Sequence, residues 1–174
     1  LFKEEDDSVL THIVDDGDMV EPHYYVPVVP TILLNGCTAG IGTGWSTSVP
    51  NYNMKDIIQM VNEWIDDGSA THDPLPSYAG FTGRIEKTGE GKYVTYGKVD
   101  VKGDVATVSE LPVGMWTDKF KDTIEEWLEE KRIKSYKNYS TPNKVHFEIK
   151  LIDDGLKGTV EDMKLKTSLS TTNM

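Results

Sequence analysis

The sequence predicts an α+β fold: an antiparallel sheet with flanking helices, preceded by an extended Pro/Gly-rich segment and one amphipathic helix. Three observations carry this. Glycines at 83, 89, 91, 97 and 103 punctuate short runs rich in Val, Ile, Tyr and Thr, which reads as three or four antiparallel strands with tight turns. Two stretches, "NYNMKDIIQMVNEWIDDG" and "TDKFKDTIEEWLEEKRI", place apolar residues at helical spacing. Pro22, Pro27 and Pro30 forbid a helix interior ahead of them.

Taken in order, "LFKEEDDSVLTHIVDDGDMV" is acidic, with apolar residues too sparse for a helix, and reads as a solvated face. "TILLNG" reads as a short buried strand ending at Asn35-Gly36, a strong turn signal. Next comes "NGCTAGIGTGWSTSVP", a glycine-rich hairpin. In the first helix Asn53 is the expected N-cap, Ile57, Ile58, Val61, Trp64 and Ile65 form the apolar stripe, and Gly68 stops the run. "SATHDPLPSY", with two prolines, is a linker. In the second helix Thr117 is the expected cap, with Phe120, Ile124, Trp127 and Leu128 as the stripe. "KVHFEIKLI" alternates as a strand. The remainder reads as a turn and short helix followed by a polar tail.

Composition narrows the function. No apolar run approaches the 18 residues or so of a membrane span, so no membrane partner is expected. The charged start lacks the plan of a signal peptide. A single cysteine, Cys37, leaves no internal disulfide and no cysteine-based zinc site. The net charge of -11 is uneven, reaching -7 over residues 1 to 30 and +1 over residues 114 to 150. On charge alone, an acidic α+β protein-interaction module without a DNA role is the competing reading.

Motifs for catalysis are missing. There is no G-x-S-x-G elbow, and His12, His23, His72 and His146 lie far apart with no H-x-x-x-H pair. The loop G-I-G-T-G-W at 40 to 45 lacks the Lys of a phosphate loop, and the third position of a dinucleotide fingerprint falls on Trp45. What remains is a tight turn that holds Ile41 between Gly40 and Gly42 and lets a partner approach the backbone closely. Proteins that bend DNA push such an apolar wedge between base steps. Two further segments suit DNA. Trp116 lies at the start of a helix, where N–H groups can hold a phosphate. The stretch 131 to 144 carries Lys131, Arg132, Lys134, Lys137 and Lys144 with Tyr136 and Tyr139 between them and no acid. A solvated loop balancing Glu125, Glu126, Glu129 and Glu130 is the plain alternative for that stretch.

The blocks "DDGDMVEPHYYVPVVPTILLNG", "GIGTGWST.VPNYN", "LPSY.GF.G.IE", "SELPV..WT" and "LKTSLSTTNM" together resemble eukaryotic-type DNA topoisomerase II, in order and across the whole chain. The resemblance implies a fragment of the DNA-cleavage core. Residues 1–70 would be the end of the winged-helix region with the wedge loop and following helix. Residues 78–152 would be the tower domain, and 153–174 a segment leading toward the coiled-coil arm. It implies double-stranded DNA and the second subunit of a homodimer as partners, a nuclear location, and Mg2+ and ATP as cofactors of the full-length enzyme, bound outside this fragment. Ile41 matches the intercalating isoleucine and Trp116 a tryptophan that touches flanking DNA. No nucleophilic tyrosine motif is present, and Tyr24 and Tyr25 take no catalytic role, so no catalytic or metal-binding residue is expected here. The DNA-binding set is then Ile41, Gly40, Gly42, Trp116, Lys119, Lys131, Arg132 and Lys134. Two departures stand out. "NGCTAGIG" is one residue longer than the usual "NGAEGIG", and Gly114 stands where an arginine is usual.

Overall fold

The structure, a computed structural model, describes residues 1–172. The chain divides into two compact units, Leu1–Pro76 and a second from Ser77 onward.

The first unit opens with a 3-10 turn, Glu4–Val9. The acidic start then forms an element of its own, a hairpin of β1 (His12–Asp15) and β2 (Asp18–Pro22). Its turn is Asp16-Gly17, with φ of 49° and 93°, the left-handed pair that an Asp-Gly dipeptide accepts at low cost. "TILLN" is a short helix, α1 (Thr31–Asn35), and not the buried strand expected from its apolar run. Pro30 presets the entry with φ of -60°. The Leu33 N–H then turns back onto the Pro30 carbonyl (3.1 Å). Where a strand would need a ladder partner, the carbonyls of Leu33 and Leu34 instead accept from the Tyr52 N–H (2.8 Å) and the Asn51 amide (3.3 Å). β3 (Cys37–Gly42) and β4 (Trp45–Val49) form the glycine hairpin. α2 (Met54–Asp67) is capped as its sequence predicts: the Asn53 side chain accepts from the Lys55 N–H (2.9 Å), and Gly68 closes the helix at φ 70°. Of its apolar stripe only Ile57 is fully buried, and Trp64 and Ile65 are exposed.

The second unit contains two antiparallel sheets. β5 (Arg84–Gly89), β6 (Lys92–Tyr96) and β11 (Lys166–Ser170) make one, in the order β11-β6-β5. β7 (Lys98–Lys102), β8 (Val105–Glu110), β9 (Ile133–Asn138) and β10 (Phe147–Leu151) make the other, in the order β7-β8-β10-β9. Gly97 divides them. A Cβ there would run into the Glu110 carbonyl, and the Gly97 N–H is spent on Leu165 (3.0 Å). α3 (Thr117–Glu129) lays Phe120, Ile124 and Trp127 on the inner face of the four-stranded sheet, against Ala106, Val108, Phe147 and Ile149. Phe120 meets Phe147 edge-on at 5.2 Å between ring centres, the geometry aromatic pairs favour.

Three expectations for this unit change. Trp116, not Thr117, is the N-cap residue, and no side chain caps the helix. The basic stretch is no loop throughout, since residues 133–138 form edge strand β9, held by pairing with β10. The expected short helix and polar tail after residue 152 are turns followed by β11. Leu156, Met163 and Leu165 from this segment are buried in the core. Asn173 and Met174, which end the "LKTSLSTTNM" block, lie outside the described residues.

Candidate nucleic-acid interface

The hairpin presents Ile41 through its strand pairing. β3 and β4 join through a two-residue loop, Thr43-Gly44, with Gly44 at φ 76°. Ile41 pairs with Ser46 and Gly42 with Trp45. Side chains alternate across a ribbon, so Ile41 and Ser46 share one face, and Gly40, Gly42, Trp45 and Thr47 the other. Ile41 is 85% exposed, the most of any large apolar side chain described. The register slips between Cys37 and Gly40, where three residue steps on β3 span two on β4. Such a bulge absorbs one residue without shifting the pairs beyond it. The bulge lies ahead of Ile41, which pairs with Ser46 one pair from the turn.

The glycines differ in what they are for. A Cβ on Gly40 would press on Cys37 Sγ at 3.0 Å, so internal packing already favours glycine there. At Gly42 a Cβ would meet only the Trp45 Cβ, at an ordinary 3.8 Å, and its φ is not positive. Nothing inside the protein requires glycine at 42. Charge is unevenly spread in this unit. The first unit has two lysines against thirteen acids, a net charge of -11, yet no Asp, Glu, Lys or Arg occurs from 22 to 54. Ile41 therefore stands on a neutral stretch of an acidic unit.

In the second unit sixteen basic and sixteen acidic residues cancel. Trp116, at the N-terminus of α3, is 78% exposed. It lines a groove of about 850 Å³ together with the 109–117 segment, residues 79–82 and the loop 141–145. Lys119 is exposed one turn along α3. Lys131 and Arg132 follow the other end of α3. There Lys131 takes a left-handed φ of 55° and the Arg132 N–H closes onto the Trp127 carbonyl (2.8 Å). Arg132 reaches Glu130 at 3.6 Å. Lys134 is exposed at the bulge in β9. The structure thus brings Trp116 to the 141–144 loop, and sets Lys131, Arg132 and Lys134 apart from both. Lys144, which lines the groove, lies outside the DNA-binding set expected from the sequence. Twenty-eight residues separate it from Trp116 in the chain, and only the return of β9 brings them together.

Three groups titrate away from their ordinary range. Burial pushes the Tyr78 hydroxyl upward. Glu63 is held at about 2 by hydrogen bonds, first from the Gln59 amide and then from the N–H groups of His72 and Thr71 and the Thr71 hydroxyl. Burial, and the hydrogen bond it donates to Glu125 (2.9 Å), push the Tyr136 hydroxyl upward. None of the three belongs to the hairpin or the groove. Among the described residues no cluster of three His, Cys, Asp or Glu side chains could hold a metal ion. No lysine follows the hairpin glycines, so the hairpin is not a phosphate loop.

Residues 1–174 match the A-subunit family of DNA gyrase/topoisomerase IV. The chain belongs to this family. It is 39% identical over 184 residues to the DNA topoisomerase 2 of Penicillium chrysogenum, covering all of this chain and 12% of that protein. It is 36% identical over 186 residues to the DNA topoisomerase 2-beta of Gallus gallus, covering 11% of it. The crystal structure of the Plasmodium falciparum topoisomerase II DNA-binding, cleavage and re-ligation domain superposes with a TM-score of 0.84 at 39% identity, over 99% of this chain and 25% of that one. The mixed α+β fold with small antiparallel sheets is thus that of a topoisomerase II cleavage core, and the chain is one piece of such a core. The chain spans about an eighth of the length of the curated relatives it matches.

Proposed function

We propose that this chain is the portion of an ATP-dependent type II DNA topoisomerase that binds and bends the duplex to be cut, with Ile41 as the intercalating wedge. The observation that carries the reading is an isoleucine left 85% exposed beside a turn, on a hairpin without charge. Unstacking a base step costs a few kcal/mol or so. Full burial of an isoleucine side chain returns about 1.5–3 kcal/mol. The wedge therefore comes close to breaking even, and phosphate contacts made along the bend must supply the surplus. The first unit, at -11, cannot supply them except through its neutral backbone, so the cations come from the second unit and from other parts of the protein.

In the whole enzyme one duplex passes through a transient double-strand break in another. The nucleophilic tyrosine, the Mg2+ site and the ATPase belong to parts of the protein beyond this chain, and the working form is a homodimer in the nucleus. Gly40 and Gly42 let the hairpin backbone close on the sugars, and Trp116 and Lys119 face the flanking duplex. The region up to about residue 70 serves as the end of the winged-helix region, 78–152 as the tower, and 153–174 leads toward the coiled-coil arm. The test uses the full-length protein and a duplex labelled at both ends for fluorescence transfer. Ile41→Ala should lose most of the bend and lower cleavage more than initial binding, while Ile41→Leu should retain both. Equal bending by wild type and Ile41→Ala would overturn the proposal.

A further inference from the structure

The candidate cations of the second unit do not share one surface. α3 has 13 residues, and at 1.5 Å per residue it separates Trp116 from Lys131 and Arg132 by about 20 Å. Lys134 follows them at the start of β9. β9 then runs back, and its six residues cover about 20 Å in the opposite sense. That return puts Thr141, Asn143 and Lys144 on the groove that Trp116 lines.

The electrostatic settings of the two ends differ as well. Beside Lys131 and Arg132 stand Glu125, Glu126, Glu129 and Glu130, and Arg132 is already engaged with Glu130. A phosphate arriving there competes with Glu130 for Arg132. Lys144 is exposed and pairs with no carboxylate among the described residues. One acid, Glu110, lines its groove, and that carboxylate accepts both the N–H (3.0 Å) and the hydroxyl (2.9 Å) of Thr82. The loop that carries Lys144 is tightly closed. The Thr141 N–H donates to the Lys144 carbonyl (2.8 Å) and the Lys144 N–H to the Thr141 carbonyl (3.2 Å). Just outside it, the Tyr139 N–H donates to the His146 carbonyl (2.8 Å), and the His146 N–H to the Ser140 hydroxyl (3.0 Å). A lysine on a loop so closed loses little backbone freedom when it meets a partner.

We infer that Lys144, alongside Lys119, is a phosphate-contacting cation of this unit, and that with Trp116 it makes the groove between α3 and the 141–144 loop the surface that receives the duplex backbone. Lys131, Arg132 and Lys134 take no share in that contact. The inference rests on duplex DNA being the ligand, as proposed above. It adds which residues hold the backbone.

The test measures binding of a short duplex by the full-length protein across a salt series. Each phosphate neutralised contributes about 0.9 to the slope of log affinity against log salt. Lys144→Ala should reduce that slope by about one such unit and weaken binding severalfold at low salt. Lys144→Arg should restore both. Arg132→Ala and Lys134→Ala should leave the slope as it is. A slope lowered by Arg132→Ala or Lys134→Ala and untouched by Lys144→Ala would overturn the inference. So would a slope that none of the three alters. Bending by the Ile41→Ala protein reports separately on the wedge: if Lys144→Ala changes nothing while Ile41→Ala abolishes bending, the groove assignment fails and the wedge stands.

Discussion

At the scale of single residues, the hairpin depends on a glycine that never reaches its tip. Gly36 joins α1 to β3 at φ 64°, and a Cβ there would lie 2.8 Å from the Val49 carbonyl oxygen. Both the backbone conformation and the space exclude a side chain. Gly36→Ala should therefore destabilise the first unit by roughly 1–3 kcal/mol, seen as a lowered thermal midpoint and faster amide exchange in β3 and β4. Gly44→Ala carries the left-handed cost alone, since nothing lies within 4 Å of its Cβ, and should lose less. Equal losses from the two would mean that the packing at Gly36 is unimportant. Ile41 shows the other side of residue-scale reading. Its flanking glycines identify it in the sequence as a presented side chain. Its exposure, and the bulge ahead of it, come from strand pairing.

At the scale of elements, α2 does more than cover Ile57. Its Glu63 carboxylate gathers the N–H groups of Thr71 and His72 (2.9 and 2.8 Å) and the Thr71 hydroxyl (3.0 Å), tying the start of the linker back onto the helix. The Glu63 pKa, near 2 in the folded chain and 4.5 in a free side chain, sets the sign of a pH effect. The tie is at full strength above about pH 4.5, and it is lost as pH falls through about 2. Amide exchange at Thr71 and His72 should accelerate over that window. Glu63→Gln should show the fast rate already at neutral pH. No acceleration in Glu63→Gln would show that other contacts hold the linker. Legibility also varies by element. Both long helices are legible from apolar spacing and, for α2, from its caps. β9 is not, because its inward residues, Ile133 and Tyr136, fall out of alternation at the bulge. β11 is hidden because "KTSLS" is mostly polar and is held by hydrogen bonds to β6, a partner some seventy residues earlier. The Asp16-Gly17 dipeptide is a turn signal in itself, but the acids crowded around it make the segment look like a solvated face.

At the scale of the whole molecule, charge is divided by unit, -11 in the first and zero in the second. Like charges on one small body repel, and salt screens that repulsion within about 10 Å at 0.1 M. Raising salt from low to moderate concentration should protect amides of the first unit more than those of the second. An equal response would show that the acids are already compensated locally.

The sequence by itself determined the family, the mixed class of the fold, the two long helices and the isolation of Ile41 between glycines. Each of these is local or is spelled out in contiguous blocks. Only the tertiary structure decided that "TILLN" coils, that the basic stretch splits between two ends of α3, and that Lys144 joins Trp116. These outcomes depend on hydrogen-bond partners and packing from distant parts of the chain, and no short window of residues specifies which partner a backbone group will find.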